Sequence, residues 1–543
     1  MNRKLHRMIA AVVLGALVGL LNHVAVFAGM AAPPAGYEPA YLIRNLDIPQ
    51  YLTWAALARG HWLLPNGHAP WITEPALFQP MLQLVGKSGL SPVAGYYIFQ
   101  FLMYTLAAWS LLFAADTFCR SGKERLYAAI AMAGALPLKL MGWAVAKWLG
   151  ASQAMQLALA YGVIEYSYET ADGFLRGGLS NSFTLSFGTS VTLLSFAGLT
   201  RYLASGDKKW YKMTLFCTLF GALLHPFEVF LVVFGATFPL WKDKRLPEIV
   251  PLALAAGFGI LPYLVQTVRS PWLRDASDLA QWHMTSPAWV LLIFGIPALG
   301  VCWLMAMRFR SEGPEETVLQ SWFLSTVFLP LVPAVPVAIH LFDGFTYGAA
   351  FLLVRKVSHD PLFQRYRNHL RPAAYGWAAI SAAVLATMYV QLYNDGKSSD
   401  PLIGRPAVIA ADERRMLDWM KQHLPPDRLV LAPVEMAPWV AALPMKALAS
   451  HDVFSITFDE QRNAVTRFQS GDTSVIGEYG VSYVVSEQRL ASGIPLFTSG
   501  ALHLYEMPGQ TMKPYPGRGA LTGASPRNAF RQWVFAALGA GGN

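Results

Sequence analysis

Residues 94–115 read AGYYIFQFLMYTLAAWSLLFAA, a stretch of 22 residues that contains no charged side chain. A bilayer core of about 30 Å is crossed by a helix of about 20 apolar residues. This stretch therefore predicts a membrane-spanning helix. Similar apolar runs predict further membrane segments at 8–26, 126–148, 180–203, 213–240, 247–268, 288–307, 319–340, 344–356 and 372–392.

The composition of the whole chain agrees with this prediction. Of its 543 residues, 54% are hydrophobic and only 14% are charged, whereas a soluble domain carries about 25% charged residues. The 3 cysteines are too few for a disulfide scaffold. A net charge of +9 would suggest nucleic acid as the partner of a soluble protein, but in a membrane protein it reflects basic cytoplasmic loops. We expect an α-helical multi-pass integral membrane protein with no nucleic-acid partner.

The basic residues also predict the orientation. Three cations, Arg3, Lys4 and Arg7, precede the first apolar run and place the N-terminus in the cytoplasm. Connecting segments assigned to that side carry several-fold more Lys and Arg than those assigned outside. The first run also fits a cleaved signal peptide, because small residues follow it near Ala28. Either reading places residues 30–93 outside.

Proline divides one of the apolar runs. His225-Pro226 lies in the middle of 213–240, and proline removes a helix hydrogen bond and breaks or kinks the helix. We expect two short helices there, which makes roughly 10–12 membrane segments in all. Ionisable groups at membrane depth are costly and are functional candidates, so His225 and Glu228 are candidate site residues. A structural kink with a satisfied histidine explains the same residues.

The chain is predicted to contain three parts. Residues 1–395 form the transmembrane domain with the long first outer loop, 400–508 form a small extracytoplasmic α/β domain, and 509–543 form a flexible tail rich in Gly, Pro and Arg. Residues 412–424, DERRMLDWMKQHL, have the period of an amphipathic helix. Three short β-branched and apolar runs predict strands, at 428–432, 481–486 and 502–506.

The outer loops carry the candidate chemistry. Asp47 and Glu74 are acids of the first loop, and each also fits a helix-capping or first-turn position. The second loop contains three acids and one arginine that are spaced four, three and four residues apart, so that a helix would place them on one face. They are Glu165, Glu169, Asp172 and Arg176. Carboxylates at this spacing predict a Mg²⁺ or Mn²⁺ site, or a solvated loop face. Arg269 and Arg274 could hold a lipid phosphate or anchor helices at the interface.

Several motifs then point to a family. The first loop contains Pro49-Gln-Tyr51-Leu52, Gly60-His-Trp62-Leu63, Asn66 and Thr73-Glu74, and the tail domain contains ERRMLDWMKQHL, Ser450-His451-Asp452 and Glu478-Tyr-Gly-Val-Ser-Tyr-Val-Val. Together with the long first outer loop and the C-terminal outer domain, they resemble bacterial multi-pass proteins of the GT-C glycosyltransferase superfamily. That superfamily includes protein mannosyltransferases, aminoarabinose transferases and oligosaccharyltransferases. Many members carry two adjacent acids in the first loop, whereas this chain has Leu46-Asp47-Ile48.

The resemblance implies a membrane glycosyltransferase of a bacterial plasma membrane. It implies that the enzyme uses a polyprenyl-phosphate-linked sugar outside the membrane, by inversion, with a glycan, lipid or protein as acceptor. Asp47 matches the family's general base, and Glu74 is the second candidate catalytic acid. The leaving lipid phosphate needs cations, for which Arg176, His225, Arg269 and Arg274 are candidates. Two other functions remain open. Broken helices also suit a transporter or flippase, and the single acid suits a non-catalytic assembly factor on the same scaffold.

Overall fold

The structure of the chain is a computed structural model. It describes residues 3–40, 47–64, 78–133, 138–152, 183–269, 300–301, 311, 313–329, 345–359, 361, 367–397, 408–443, 445–450 and 458–510. The predicted membrane segment 288–307 and the tail 509–543 lie almost wholly outside these ranges.

Helices dominate the first 400 residues and alternate with strands after them. The helices up to residue 269 are α1 (Arg3–Asn22), α2 (Val24–Ala31), α3 (Asp47–Leu57), α4 (Pro80–Lys87), α5 (Pro92–Phe118), α6 (Gly122–Ala133), α7 (Leu138–Trp148), α8 (Phe183–Ser205), α9 (Lys208–Leu224), α10 (Glu228–Lys242) and α11 (Ile249–Arg269). The later helices are α12 (Pro314–Phe328), α13 (Phe345–His359), α14 (Arg367–Gly396), α15 (Ala411–His423), α16 (Ala437–Ala441), α17 (Phe458–Gln469) and α18 (Ser474–Tyr479). The strands are β1 (Tyr37–Pro39), β2 (Val408–Ala410), β3 (Leu429–Leu431), β4 (Lys446–Ala447), β5 (Tyr483–Ser486), β6 (Ile494–Ser499) and β7 (Leu502–Glu506).

Three described stretches are long enough and apolar enough to cross a membrane: Pro92–Phe118, Leu246–Gln266 and Arg371–Asn394. A fourth is added if α1 and α2 form one broken span. The larger number of spans expected from the sequence stays a prediction. The break in 213–240 is confirmed, because α9 ends at Leu224 and α10 begins at Glu228.

The chain divides into two compact units. Unit 1 contains Met1–Asn22, Gln100–Leu261 and Gln281–Gln391, and unit 2 contains His23–Phe99, Pro262–Ala280 and Leu392–Asn543. The predicted first outer loop therefore belongs to the same unit as the C-terminal α/β region.

Aromatic side chains fill the core of unit 1. Phe196 of α8 stacks on Trp322 of α12 with ring centroids 4.7 Å apart, and both side chains are buried. Small residues let the helices approach closely: a Cβ added to Gly198 of α8 would lie 2.7 Å from Thr214 Oγ1 of α9. Close approach at small residues is how helices associate in lipid, where hydrophobic burial gives no advantage.

Ion pairs gather at one end of unit 1. The pairs join α1, α5, α6, α12 and α13, and they are Arg7–Asp116, Arg125–Asp116, Arg355–Glu315, Lys356–Glu316 and His359–Glu124. Lys242, at the end of α10, also donates to Thr317 of α12. The sequence assigned the basic residues of this set to a single side of the membrane. The structure places their helix ends together, while the side itself stays a prediction.

Unit 2 is built around a five-stranded sheet of order β4-β3-β5-β7-β6. β3 is parallel to β4 and β5, and β7 is antiparallel to β5 and β6. Helices cover both faces. Met416 of α15 packs with Val430 in one buried cluster, and Phe468 of α17 packs with Leu431 in another. The neighbouring residues Val430 and Leu431 face opposite layers, as successive residues of a strand must. The predicted α/β fold, the helix at 412–424 and the three predicted strands are confirmed.

Candidate active site

Asp47 is the first residue of α3. The sequence placed the helix start one residue later, at Ile48. Pro49 then lies in the first turn, where a missing backbone N–H costs nothing. The positive end of the helix dipole favours a carboxylate at this position. The backbone position of Asp47 fits both a capping role and a catalytic role, so its role as general base stays a prediction.

The helix that begins with Asp47 is held tightly within unit 2. Trp54 is 1% exposed and Thr53 is fully buried. α4 packs directly on α3, because a Cβ added to Gly86 would lie 2.3 Å from the carbonyl oxygen of Ala55. α16 of the α/β region also contacts α3. Catalytic groups work best on rigid elements whose neighbours fix their geometry, and α3 meets that condition.

An aromatic pair supports the same end of α3. Tyr51 follows Asp47 by four residues and therefore lies on the same helix face. Its ring stacks on Tyr96 of α5, with centroids 6.4 Å apart and an interplanar angle of 19°. Tyr96 is 1% exposed. α3 is thus packed against a buried ring one turn after its first residue.

The end of the first loop is fastened to α11. The backbone N–H of Phe78 donates to Gln266 Oε1 at 2.6 Å. The Phe78 ring also meets Tyr263 edge to face, at 5.6 Å between centroids. Phe78 follows the predicted catalytic acid Glu74 by four residues, and Gln266 precedes Arg269 by three. The contact therefore joins the end of the first loop to the last turns of α11.

His225 and Glu228 form a buried pair at the break between α9 and α10. His225 Nδ1 lies 2.7 Å from Glu228 Oε1 and 2.9 Å from Oε2. Glu228 is fully buried and His225 is 7% exposed. The sequence identified both as candidates, and the structure shows that they act on each other. The predicted contact of His225 with a lipid phosphate stays a prediction.

The remaining predicted site residues are not described. Glu74, Arg176 and Arg274 lie outside the described ranges, as do the three predicted metal ligands Glu165, Glu169 and Asp172. Arg269 is the last residue of α11, and its side chain is not described. Among the residues that the structure describes, no group of three or more His, Cys, Asp or Glu could hold a metal ion. The expected Mg²⁺ or Mn²⁺ site is therefore untested.

Sequence reasoning missed Gln266 and the Tyr51–Tyr96 pair. A signal for Gln266 was present, because it is an amide inside the apolar run 247–268, and polar groups at membrane depth require partners. Its partner, 188 residues away, could not be identified from local pattern. Tyr96 lies at the start of an apolar run, where nothing local distinguishes it from a lipid-facing ring.

No protein-family model matches the chain, and no curated protein matches it. Among solved structures, the chain is similar to ArnT from Cupriavidus metallidurans bound to undecaprenyl phosphate. That similarity has a TM-score of 0.44 at 13% sequence identity and covers 95% of this chain and 99% of ArnT.

Proposed function

We propose that this chain is a membrane glycosyltransferase of the GT-C type. It transfers a sugar from a polyprenyl-phosphate-linked donor to an acceptor hydroxyl on the extracytoplasmic side of a bacterial plasma membrane. Asp47 accepts the proton of that hydroxyl. The acceptor oxygen forms a bond to the anomeric carbon, and the bond from that carbon to the phosphate oxygen breaks. The electron pair of the broken bond leaves on the lipid phosphate.

The observation that carries this proposal is the position of Asp47 at the start of a helix that packs against three other parts of unit 2. α4, Tyr96 and α16 all contact α3. A solvated loop acid would not need this support, whereas a general base must be held within hydrogen-bond reach of its substrate. The leaving phosphate gathers negative charge, which cations stabilise in the transition state. Arg176, His225, Arg269 and Arg274 are the proposed sources of that stabilisation.

The test is a transfer assay in proteoliposomes with a panel of radiolabelled polyprenyl-phosphate sugars. Asp47→Asn removes the base with little change in size, and general-base catalysis contributes about 10²–10⁴-fold. We expect a loss of turnover of that order. Asp418→Asn is the matched control, because Asp418 is an exposed carboxylate on α15 and the same change there should leave turnover intact. Full activity of the Asp47 variant would refute the assignment. An EDTA arm tests whether transfer requires a divalent metal.

The buried His225–Glu228 pair also favours a second function. Ionisable groups at a helix break are typical of transporters, whose discontinuous helices bind substrates or coupling ions. A transporter of a lipid-linked or polar substrate would show substrate-dependent proton or ion flux across the proteoliposome membrane. Such flux without sugar transfer would replace the glycosyltransferase proposal.

A further inference from the structure

Two turns of unit 1 pack against each other, one between α8 and α9 and the other between α10 and α11. The guanidinium group of Arg245 lies 4.6 Å from the centre of the Tyr202 ring. The hydroxyl of Tyr202 donates to the carboxylate of Glu248, and the hydroxyl of Tyr211 donates to the backbone carbonyl oxygen of the same residue. These contacts hold the two turns side by side, so the charges of both turns belong to one surface.

This surface is strongly basic. Segments 207–212 and 242–248 together contain six cations and three acids. Three of the cations have partners within the protein, in the pairs Lys209–Asp207, Arg245–Asp243 and Lys242–Thr317. The other three are exposed and make no ion pair with any residue that the structure describes, and they are Lys208, Lys212 and Lys244. We refer to these three residues as the lysine cluster.

Lys244 occupies a backbone position that favours glycine. Its φ is 59°, in the left-handed region. Its N–H donates to the carbonyl oxygen of Trp241, and the next N–H, that of Arg245, donates to Leu240 at 2.7 Å. This pair of bonds ends α10 in a Schellman motif, in which the left-handed residue is usually glycine because a Cβ is strained there. A lysine held in this conformation points to a role for its side chain.

The lysine cluster lies where an apolar helix begins. Leu246–Gln266 is long enough and apolar enough to cross a membrane, and Lys244 precedes it by two residues. Val250, Leu254 and Phe258 are exposed and four residues apart, so they form an apolar stripe along α11. Trp241 is 61% exposed, and exposed tryptophan at the end of an apolar segment is typical of the headgroup region. The ammonium groups therefore lie at the depth of lipid headgroups.

We propose that the lysine cluster binds the headgroups of anionic phospholipids in the leaflet at this end of unit 1. An ammonium group pairs with a phosphate oxygen as a point charge. The phosphate of a zwitterionic lipid already has a cation beside it, so a net negative lipid gains more from the contact. The sequence predicts that this end is cytoplasmic, which is the side of the anionic leaflet. The contact is independent of the reaction and goes beyond the proposed function.

The experiment measures binding of short-chain phosphatidylglycerol to the full chain in neutral detergent micelles, by microscale thermophoresis, with short-chain phosphatidylcholine as the zwitterionic lipid. We expect the wild type to bind phosphatidylglycerol more tightly. A lysine near an anionic surface contributes about fivefold in affinity, so the triple variant Lys208→Gln, Lys212→Gln and Lys244→Gln should weaken this binding by at least about tenfold. Its affinity for phosphatidylcholine should not change. High salt should also weaken the binding, because it screens exposed charges.

A matched control removes the same charge elsewhere. Lys421, Arg462 and Arg489 are exposed cations of unit 2, and their combined replacement by Gln should leave the affinity for phosphatidylglycerol unchanged. An equal loss in this variant would show that only net charge matters and would overturn the proposal.

Lys244→Gly separates lipid binding from support of the fold. Glycine relieves the left-handed strain, so this variant should unfold at a temperature no lower than that of the wild type. It should nevertheless bind phosphatidylglycerol about fivefold more weakly. A lower unfolding temperature with unchanged affinity would show that Lys244 serves only the end of α10, and would overturn its role in the cluster.

The remaining outcomes decide the nature of the ligand. Equal affinity of the wild type for the two lipids, or equal affinity of the wild type and the triple variant for phosphatidylglycerol, would overturn the proposal. Inorganic phosphate that displaces the lipid as effectively as phosphatidylglycerol itself would indicate a site for a soluble anion and would overturn the assignment to lipid. None of these results depends on sugar transfer, which the Asp47 variant tests separately.

Discussion

The Lys356–Glu316 pair offers a test of how the charged end of unit 1 is built. Lys356 is the last residue of the predicted membrane segment 344–356. Its side chain is 5% exposed and that of Glu316 is 6% exposed. Removing one partner of a buried pair leaves an uncompensated charge, which costs about 3–5 kcal/mol. We therefore expect Glu316→Gln to lower the free energy of unfolding by that amount, whereas a solvated loop pair would contribute about 0–1 kcal/mol.

The assay is equilibrium unfolding of the full chain in detergent micelles, followed by tryptophan fluorescence. Lys209→Met is the matched control in the same unit, because it breaks a pair with Asp207 whose side chains are 65% and 41% exposed. It should cost no more than about 1 kcal/mol. The double variant Glu316→Leu with Lys356→Met removes both charges and should cost less than Glu316→Gln alone. Equal small losses for the Glu316 and Lys209 variants would refute the reasoning.

Three further predictions concern unit 2. Gly86→Ala forces a methyl group to within 2.3 Å of the Ala55 oxygen. It should therefore lower the free energy of unfolding by about 1–3 kcal/mol, measured by thermal unfolding, and also lower the rate of sugar transfer. Gln266→Leu removes the acceptor of the Phe78 amide, which should exchange its hydrogen faster in hydrogen–deuterium exchange, while an unchanged rate would argue against the contact. Burial lowers the pKa of Lys446, so folding disfavours the charged form of this side chain. The free energy of unfolding of the wild type should therefore rise as pH increases toward about 10. That rise should be absent in Lys446→Met.

The parts of the fold that follow from local sequence were predictable. The apolar runs at 94–115, 247–268 and 372–392 correspond to α5, α11 and α14, because a membrane helix is specified by its own composition. The break at His225-Pro226 was equally accessible, since proline acts on its own backbone. In the α/β region, the periodicity of 412–424 predicted α15 to within one residue.

Contacts between distant segments were not predictable. β1 pairs with β2, so that Tyr37 lies opposite Ala410. No sequence pattern near either residue predicts that these two distant segments pair. β4 has two residues and β6 is an edge strand with a register shift, which leaves each too short or too irregular for a period-two signal. The placement of the first loop in the same unit as the α/β region therefore required the structure.

The candidate site shows the same division. Asp47 was identified through the family resemblance, and His225 and Glu228 were identified as ionisable residues beside a proline that breaks a helix. The support behind them could not be inferred, because Gly188 and Gln266 gain their roles only from the segments that fold against them. A glycine has no side chain from which a role could be predicted. At position 188, however, the absence of a side chain leaves room for the buried carboxylate of Glu228.

The first outer loop is restrained at both ends and in its middle, and this has a consequence for the proposed mechanism. Its start pairs with β2, its helix α3 contacts α16, and Phe78 near its end bonds to Gln266. A base on a freely moving loop would have to be ordered anew each time a substrate binds, which costs conformational entropy. Here that entropy is lost once, when the chain folds. Binding energy from the lipid-linked donor can then be used to orient the sugar at the acceptor hydroxyl rather than to assemble the site.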